Sequence, residues 1–236
     1  MIEGLRLWLA GTNAWIVAPN GPGGDCVLVD APPEPRVILN RLRENGLTLV
    51  AVLTTHGHVD HIGGIGEVVA HAHDGMVGVG VGVPVHLHDA DRHMLLDPLG
   101  SGGTLAQMLD MESLRLPPPE MVFGLDDGQK VSGAGMTFTA LHTPGHTQGS
   151  VCFLLEMEGE APMLFSGDHL FAGSIGRTDL PGGSYEQLMA SMKEKILPLA
   201  DDVVVLPGHG GTTTIGDERR TNPFLLKEFG GTAVTD

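Results

Sequence analysis

The stretch Thr54-Thr55-His56-Gly57-His58-Val59-Asp60-His61-Ile62-Gly63-Gly64 decides how this chain is read. Three histidines and one aspartate fall between positions 56 and 61, with the apolar run 49–53 before them and a glycine pair after. A short apolar run bounded by turn residues reads as a buried strand, and the residues after Asp60 read as the start of a helix. The four polar side chains therefore sit at a strand-to-helix turn, where residues held by a rigid scaffold commonly carry chemistry. Imidazoles and a carboxylate gathered this closely match the ligand preferences of a borderline metal such as zinc or iron.

Upstream of this centre, 5–9 and 14–17 read as strands joined by a Gly-Thr-Asn turn. The apolar run 26–30 is a strand ending on Asp30, which is either a plain strand-end residue or a group that orients a ligand of the cluster. Val37, Leu39 and Leu42 lie at helical spacing after a proline loop, and Asn45-Gly46 ends that helix. Downstream, a helix is predicted from Asp60 to about His73, with His71 and His73 at the surface. Gly, Met and Val alternate over 75–82, which reads as a flexible loop. In the strand 84–87 and just beyond it, His86 and His88 share one side but lack a partner acid, so they are left outside the metal chemistry, and Asp89-Ala90-Asp91-Arg92-His93 then opens a helix. The segment 96–119 reads as a lid or substrate-facing insertion. Strands follow at 129–131, 136–141, 151–155, 163–165 and 203–206, with helices at 184–197 (Ser184 as N-cap) and 217–229. Strands and helices alternate irregularly, with hairpins in both halves. That pattern predicts an α/β (α+β) chain, two mixed sheets covered by helices in a single domain over 1–236.

Four strand ends carry candidate ligands: the first cluster, His146 in Thr-Pro-Gly-His, Asp168 in Ser-Gly-Asp, and His209 in Pro-Gly-His. Each follows an apolar run beside a Gly or Pro turn. Seven ligands exceed one tetrahedral ion and suit two ions sharing a carboxylate. Asp168 is the natural bridge because a carboxylate offers two oxygens. His56, His58 and His146 would hold one ion, and Asp60, His61 and His209 the other. Two ions about 3.5–4 Å apart can activate a water at neutral pH and polarise an acyl oxygen.

Composition narrows the field. The formal charge of −16 argues against a nucleic-acid surface, which needs a basic patch. The two cysteines, Cys26 and Cys152, lie far apart in apolar runs and read as buried free thiols of a reducing compartment. The N-terminus lacks the pattern of a signal peptide. No apolar run approaches the roughly 20 residues of a membrane span. The expectation is a cytoplasmic protein with a small-molecule substrate and no membrane partner.

The run His56-Gly57-His58-Val59-Asp60-His61, with Thr-Pro-Gly-His146, Gly167-Asp168 and Pro-Gly-His209, resembles the metallo-β-lactamase superfamily over nearly the whole chain. The resemblance implies an αββα sandwich and the same two-metal ligand set, zinc first, with iron or manganese as alternatives. Asp60 is counted both as a ligand and as the catalytic residue. Gly176-Arg177-Thr178-Asp179-Leu180-Pro181-Gly182-Gly183 and Glu218-Arg219-Arg220-Thr221-Asn222-Pro223-Phe224-Leu225 look most like the short bacterial branch of the glyoxalase II group. That group hydrolyses S-acyl-glutathione thioesters. The implied function is cleavage of a thioester of a low-molecular-weight thiol by a metal-held hydroxide, with Arg177 either on the substrate or in a surface ion pair with Asp179. Its full-length members carry tyrosines at the places of Asp179 and Gly211. The persulfide dioxygenases share the Gly-Arg-Thr-Asp run and imply an alternative, one Fe(II) on His56, His146 and Asp168. A non-catalytic metal-binding protein is the third reading. His169 is expected to be structural, and His142 to lie either behind the ligands or in the core.

Overall fold

The computed structural model describes residues 1–74, 82–97 and 116–230. The first sheet has the order β1-β2-β3-β4-β5-β6, formed by Ile2–Leu7, Thr12–Val17, Asp25–Val29, Thr48–Leu53, Val85–His86 and Val122–Phe123. Its first three strands run antiparallel as hairpins, and β3 through β6 are parallel. The second sheet has the order β14-β13-β10-β9-β8-β7. These strands are Thr213–Thr214, Val204–Pro207, Met163–Gly167, Val151–Leu155, Met136–His142 and Lys130–Gly133. Only β10 and β13 pair in parallel there. A small hairpin, β11 and β12 (Leu170–Phe171 and Ser174–Ile175), stands apart.

Strand alternation explains why the apolar runs are continuous. Along β3, Val27 and Val29 enter the layer between the sheets, while Cys26 and Leu28 face the other way. Those outward residues pack on Ile38, Leu39 and Leu42 of α1 (Pro35–Glu44) and on Ile65 and Val68 of the following helices. In β9 and β10, Phe153 and Phe165 enter the same central layer. Cys152 and Leu164 face Leu188, Met189 and Met192 on the far side. Strands buried on both faces have no polar face to show in sequence. The layers are helix, sheet, sheet, helix, so the expected sandwich of two mixed sheets is found.

Element boundaries differ from the sequence reading where local chemistry intervenes. The helix expected over 60–73 is two short ones, α2 (Val59–Ile62) and α3 (Ile65–His71). They break at Gly63-Gly64, where a Cβ on Gly64 would lie 2.1 Å from the carbonyl oxygen of Pro32. His71 is exposed, but His73 is half-buried and donates to Leu49 O at 2.8 Å, correcting its expected surface position. The 3₁₀ turn Asp89–Asp91 and α4 (Arg92–Leu96) stand where one helix was expected to open. Tyr185–Ser191 forms α5, with Ser184 Oγ accepting from Gln187 N as its cap, and a π turn at Met192–Ile196 completes it. The last helix is also divided, into α6 (Ile215–Thr221) and α7 (Pro223–Phe229). Pro223 has no N–H to continue α6 and forces Asn222 into an extended conformation. Most of the 75–82 loop and of the 96–119 insertion lies outside the described residues. No helix among the described residues is long and apolar enough to cross a membrane.

Both cysteines are free and buried, and burial pushes each thiol up to about 12. A thiol so held supplies almost no thiolate at ordinary pH. Iodoacetamide at pH 8 is therefore expected to leave the native chain unmodified while it alkylates both cysteines of the denatured chain. Intact-mass analysis counts the adducts.

Candidate metal centre

Strand β4 delivers Thr54 to His58, and α2 carries Asp60 and His61. Strands β8, β10 and β13 run in one direction and deliver His146, Asp168 and His209 from their C-terminal ends. A register shift between Phe165 and Gly167 ends the β10 ladder just before Asp168. Gly167 has φ +49°, and a Cβ there would lie 2.5 Å from Thr55 Oγ1, so this turn requires glycine.

All seven residues named from sequence meet. The ligand atoms of His56, His58 and His146 lie within 4.8 Å of one another, as do those of Asp60, His61 and His209, and those of His56, His61 and Asp168. In the first pocket, His58 Nδ1 is 2.9 Å and His56 Nε2 3.2 Å from His146 Nε2. In the second, His209 Nε2 lies 3.2 Å from Asp60 Oδ2 and 3.4 Å from His61 Nε2. Asp168 reaches both pockets, with Oδ1 3.3 Å from His61 Nε2 and Oδ2 3.4 Å from His209 Nε2 and 3.6 Å from His146 Nε2.

The charges are divided between the pockets. Burial, followed by neighbouring imidazoles, lowers His56 well below its usual range and His58 to about 3. Burial opposes charge on His61 as well, but Asp60, Asp168 and Asp30 outweigh it and raise the group. His209 is raised to about 9 by hydrogen bonds to Asp168 and Asp60 that overcome its burial. Asp60 is held at about 2, because His61 and His209 offset the cost of burial. Three imidazoles turned nitrogen to nitrogen cannot all donate to each other. Their converging lone pairs, and the buried Asp168 Oδ1 without a hydrogen-bond partner, fit a divalent cation of the zinc or iron type.

Surrounding groups fix the ligands. Asp30 proves to be the orienting group: His61 Nδ1 donates to its Oδ2 at 2.7 Å, and Thr55 N and Oγ1 donate to it at 2.8 and 2.7 Å. It adopts φ +60°, uncommon for a residue with a side chain and tolerated best by Asn and Asp. Thr12 Oγ1 donates to Asp60 Oδ2, and Asn13 Nδ2 donates to Pro207 O and Gly210 O on either side of His209. His146 Nδ1 donates to Arg177 O at 2.7 Å. Sequence reading placed Thr12 and Asn13 only in a turn and Asp91 only at a helix start. Their contacts are with distant parts of the chain and leave no local pattern.

The remaining candidates lie outside the cluster. The exposed Arg177 guanidinium forms a two-pronged pair with Asp179, at 2.7 and 2.8 Å. His169 is buried with neither ring nitrogen hydrogen-bonded, and burial and then His146 lower it to about 3. His142 stacks on His88 at 4.0 Å and donates to Gln148 O, while His86 stacks on Phe123.

Comparison with known proteins follows the same lines. A protein of Mycobacterium tuberculosis, described only as uncharacterized, is 44% identical over 230 residues, 95% of this chain and 97% of its own length. Hydroxyacylglutathione hydrolase GloC of Haemophilus influenzae is 36% identical over 219 residues, 93% of this chain and 90% of the enzyme. Among solved structures, the BLEG-1 B3 metallo-beta-lactamase superposes with a TM-score of 0.80 at 36% identity, over 95% of this chain and 99% of that one. TTHA1623 in a di-iron-bound form gives 0.73 at 36% identity, over 94% and 100%. The model of the metallo-beta-lactamase superfamily matches residues 7–209. The order of the two sheets, the clustered histidines and aspartates, and these likenesses agree: the chain belongs to the metallo-β-lactamase superfamily.

Proposed function

We propose that this protein is a metal-dependent hydrolase that cleaves a thioester of the S-acyl-glutathione type. The observation that carries the reading is the convergence of two three-ligand pockets on Asp168. In this reading His56, His58 and His146 hold one ion, Asp60, His61 and His209 hold the second, and Asp168 is shared. Bound there, divalent ions would lower the pKa of a water and polarise an acyl oxygen. Zinc suits the imidazole-rich set, and the di-iron form of TTHA1623 keeps iron in view.

The chain's own groups favour a thiol as the departing half of the substrate. Burial holds His56 and His58 neutral, and the His146 Nδ1 proton is committed to Arg177 O. These imidazoles would serve as metal ligands and not as acids for an expelled alkoxide or amine. A thiolate leaves without that help. Asp60, charged and steadied by Thr12, is the group assigned to orient the attacking water by accepting its hydrogen bond. The likeness to hydroxyacylglutathione hydrolase GloC supports the same substrate class. Arg177 would meet a substrate carboxylate by exchanging Asp179 for it.

The test is metal quantification on protein purified with and without air, combined with an S-lactoylglutathione cleavage assay and an oxygen electrode. Two equivalents of metal with thioester turnover and no oxygen uptake are expected. One iron with sulfide-dependent oxygen uptake would replace this reading with persulfide oxygenation. In the same assay, Arg177→Ala is expected to raise KM with kcat unchanged, the sign of a contact equal in ground and transition states.

A further inference from the structure

We propose that Asp91 is the positioning residue of the first pocket, a buried carboxylate that clamps the His56–His58 turn to the His146 turn. Loss of Asp91 then removes a support of the first pocket and touches none of those of the second. The proposal builds on the two-ion reading above.

Asp91 is fully buried at the end of the 3₁₀ turn after β5. Its Oδ2 accepts from Gly57 N at 2.9 Å and from Thr147 Oγ1 at 2.6 Å, and its Oδ1 accepts from Gly149 N at 2.8 Å. Gly57 lies between two ligands, His56 and His58, and Thr147 directly follows the third, His146. One carboxylate thus joins two loops 90 residues apart, as counted between His56 and His146. Hydrogen bonds to a charged acceptor are roughly twice as strong as neutral ones.

The backbone makes room for this group. A Cβ on Gly57 would lie 3.0 Å from Asp91 Cβ and 2.6 Å from Met94 Sδ. A Cβ on Gly149 would lie 2.5 Å from Asp91 Cγ and 2.7 Å from Oδ1. The glycine inside the His-Gly-His run is therefore fitted to a helix that the run never meets in sequence. Within the His146 turn, Ser150 Oγ accepts from Thr147 N at 3.0 Å.

The second pocket has other supports: Asp30 on His61, Thr12 on Asp60, and Asn13 on the carbonyls beside His209. None of these contacts involves Asp91. Loss of Asp91 should spread the three imidazoles of the first pocket and leave the second in place.

The experiment uses the full chain, stripped with chelator and titrated with zinc. Stepwise dissociation constants come from chelator competition, and histidine ring ¹⁵N shifts report which rings each step engages. Asp91→Asn keeps the volume, but an amide can accept on one side only, so an NH₂ faces a backbone N–H. It is expected to weaken the step that engages His56, His58 and His146 by about 10- to 100-fold, the range typical of groups behind metal ligands. The step that engages His61 and His209 should be unchanged. Thr147→Val removes one of the three donors, should weaken the same step by less, and decides the matter if Asp91→Asn does not fold. Phe138→Leu, in the core between the sheets, should lower Tm without moving either constant. Equal weakening of both steps, weakening of neither, or the same first-step loss in Phe138→Leu would overturn the proposal. A wild-type chain that takes up fewer than two zinc ions would instead sink the two-ion reading, and this inference with it.

Discussion

Asp168→Ala is expected to give a folded protein that binds less than two equivalents of metal and has lost essentially all hydrolytic activity. Asp168 reaches the imidazoles of both pockets, His146 on one side and His61 and His209 on the other. Removing it deletes a ligand from each pocket together with a negative charge that offsets two cations. Groups behind the ligands typically cost about 10- to 100-fold, so loss of a shared ligand should exceed this and reach the order of 10³-fold or more in kcat. Asp168→Asn keeps the shape and one oxygen, so it should retain one ion and little activity. Metal analysis beside kcat measurement distinguishes the variants. Full activity in Asp168→Ala with two bound ions would refute the shared-ligand assignment.

The second large effect is on stability against pH in the metal-free protein. His58 and His169 are both depressed to about 3, against an ordinary 6.5. The unfolded chain takes up their protons first as pH falls, so the stability they contribute is complete above 6.5 and drains away toward 3. Each fully mismatched group changes stability by about 1.4 kcal/mol per pH unit, so the pair acting together can remove several kcal/mol. That is a large share of the roughly 5–15 kcal/mol of a typical domain. His209 acts in the opposite sense. Its group is raised to about 9, so its contribution is complete below 6.5 and is lost as pH rises through 9. The metal-free protein should therefore be most stable near pH 6.5 and weaken on both sides. With metal loaded, His209 no longer needs its proton, so the alkaline decline should vanish while acid displaces the ions and steepens the other limb. Tm measured against pH with and without chelator checks both limbs. A chelated protein whose Tm stays flat from pH 4 to 9 would show that these groups are not held as described.

Residue types, spacings and turn chemistry picked out the seven candidate ligands that the structure brings together. The four groups that carry them each follow an apolar strand, and that is a local pattern: a run with nothing polar to show, then a turn with Gly or Pro in or beside it, and His or Asp. The two divided helices were half legible. Gly63-Gly64 and Asn222-Pro223 stand in the sequence as breakers, but the reading carried each helix across them. What forbids continuation at Gly64 is the Pro32 carbonyl, which arrives from another part of the chain. Asp30 could be narrowed from sequence to two roles, and only the 2.7 Å contact with His61 chose between them.

By itself the sequence determined the donor set, the two mixed sheets and the family, because strand periodicity and ligand chemistry are written residue by residue. Only the tertiary structure decided which groups hold those donors still. Thr12 reaches across 48 residues to Asp60, and Asp91 across 56 to Thr147. A periodic pattern records which face of its own element a side chain occupies. It carries no record of the distant backbone that the face will meet once two sheets close on each other.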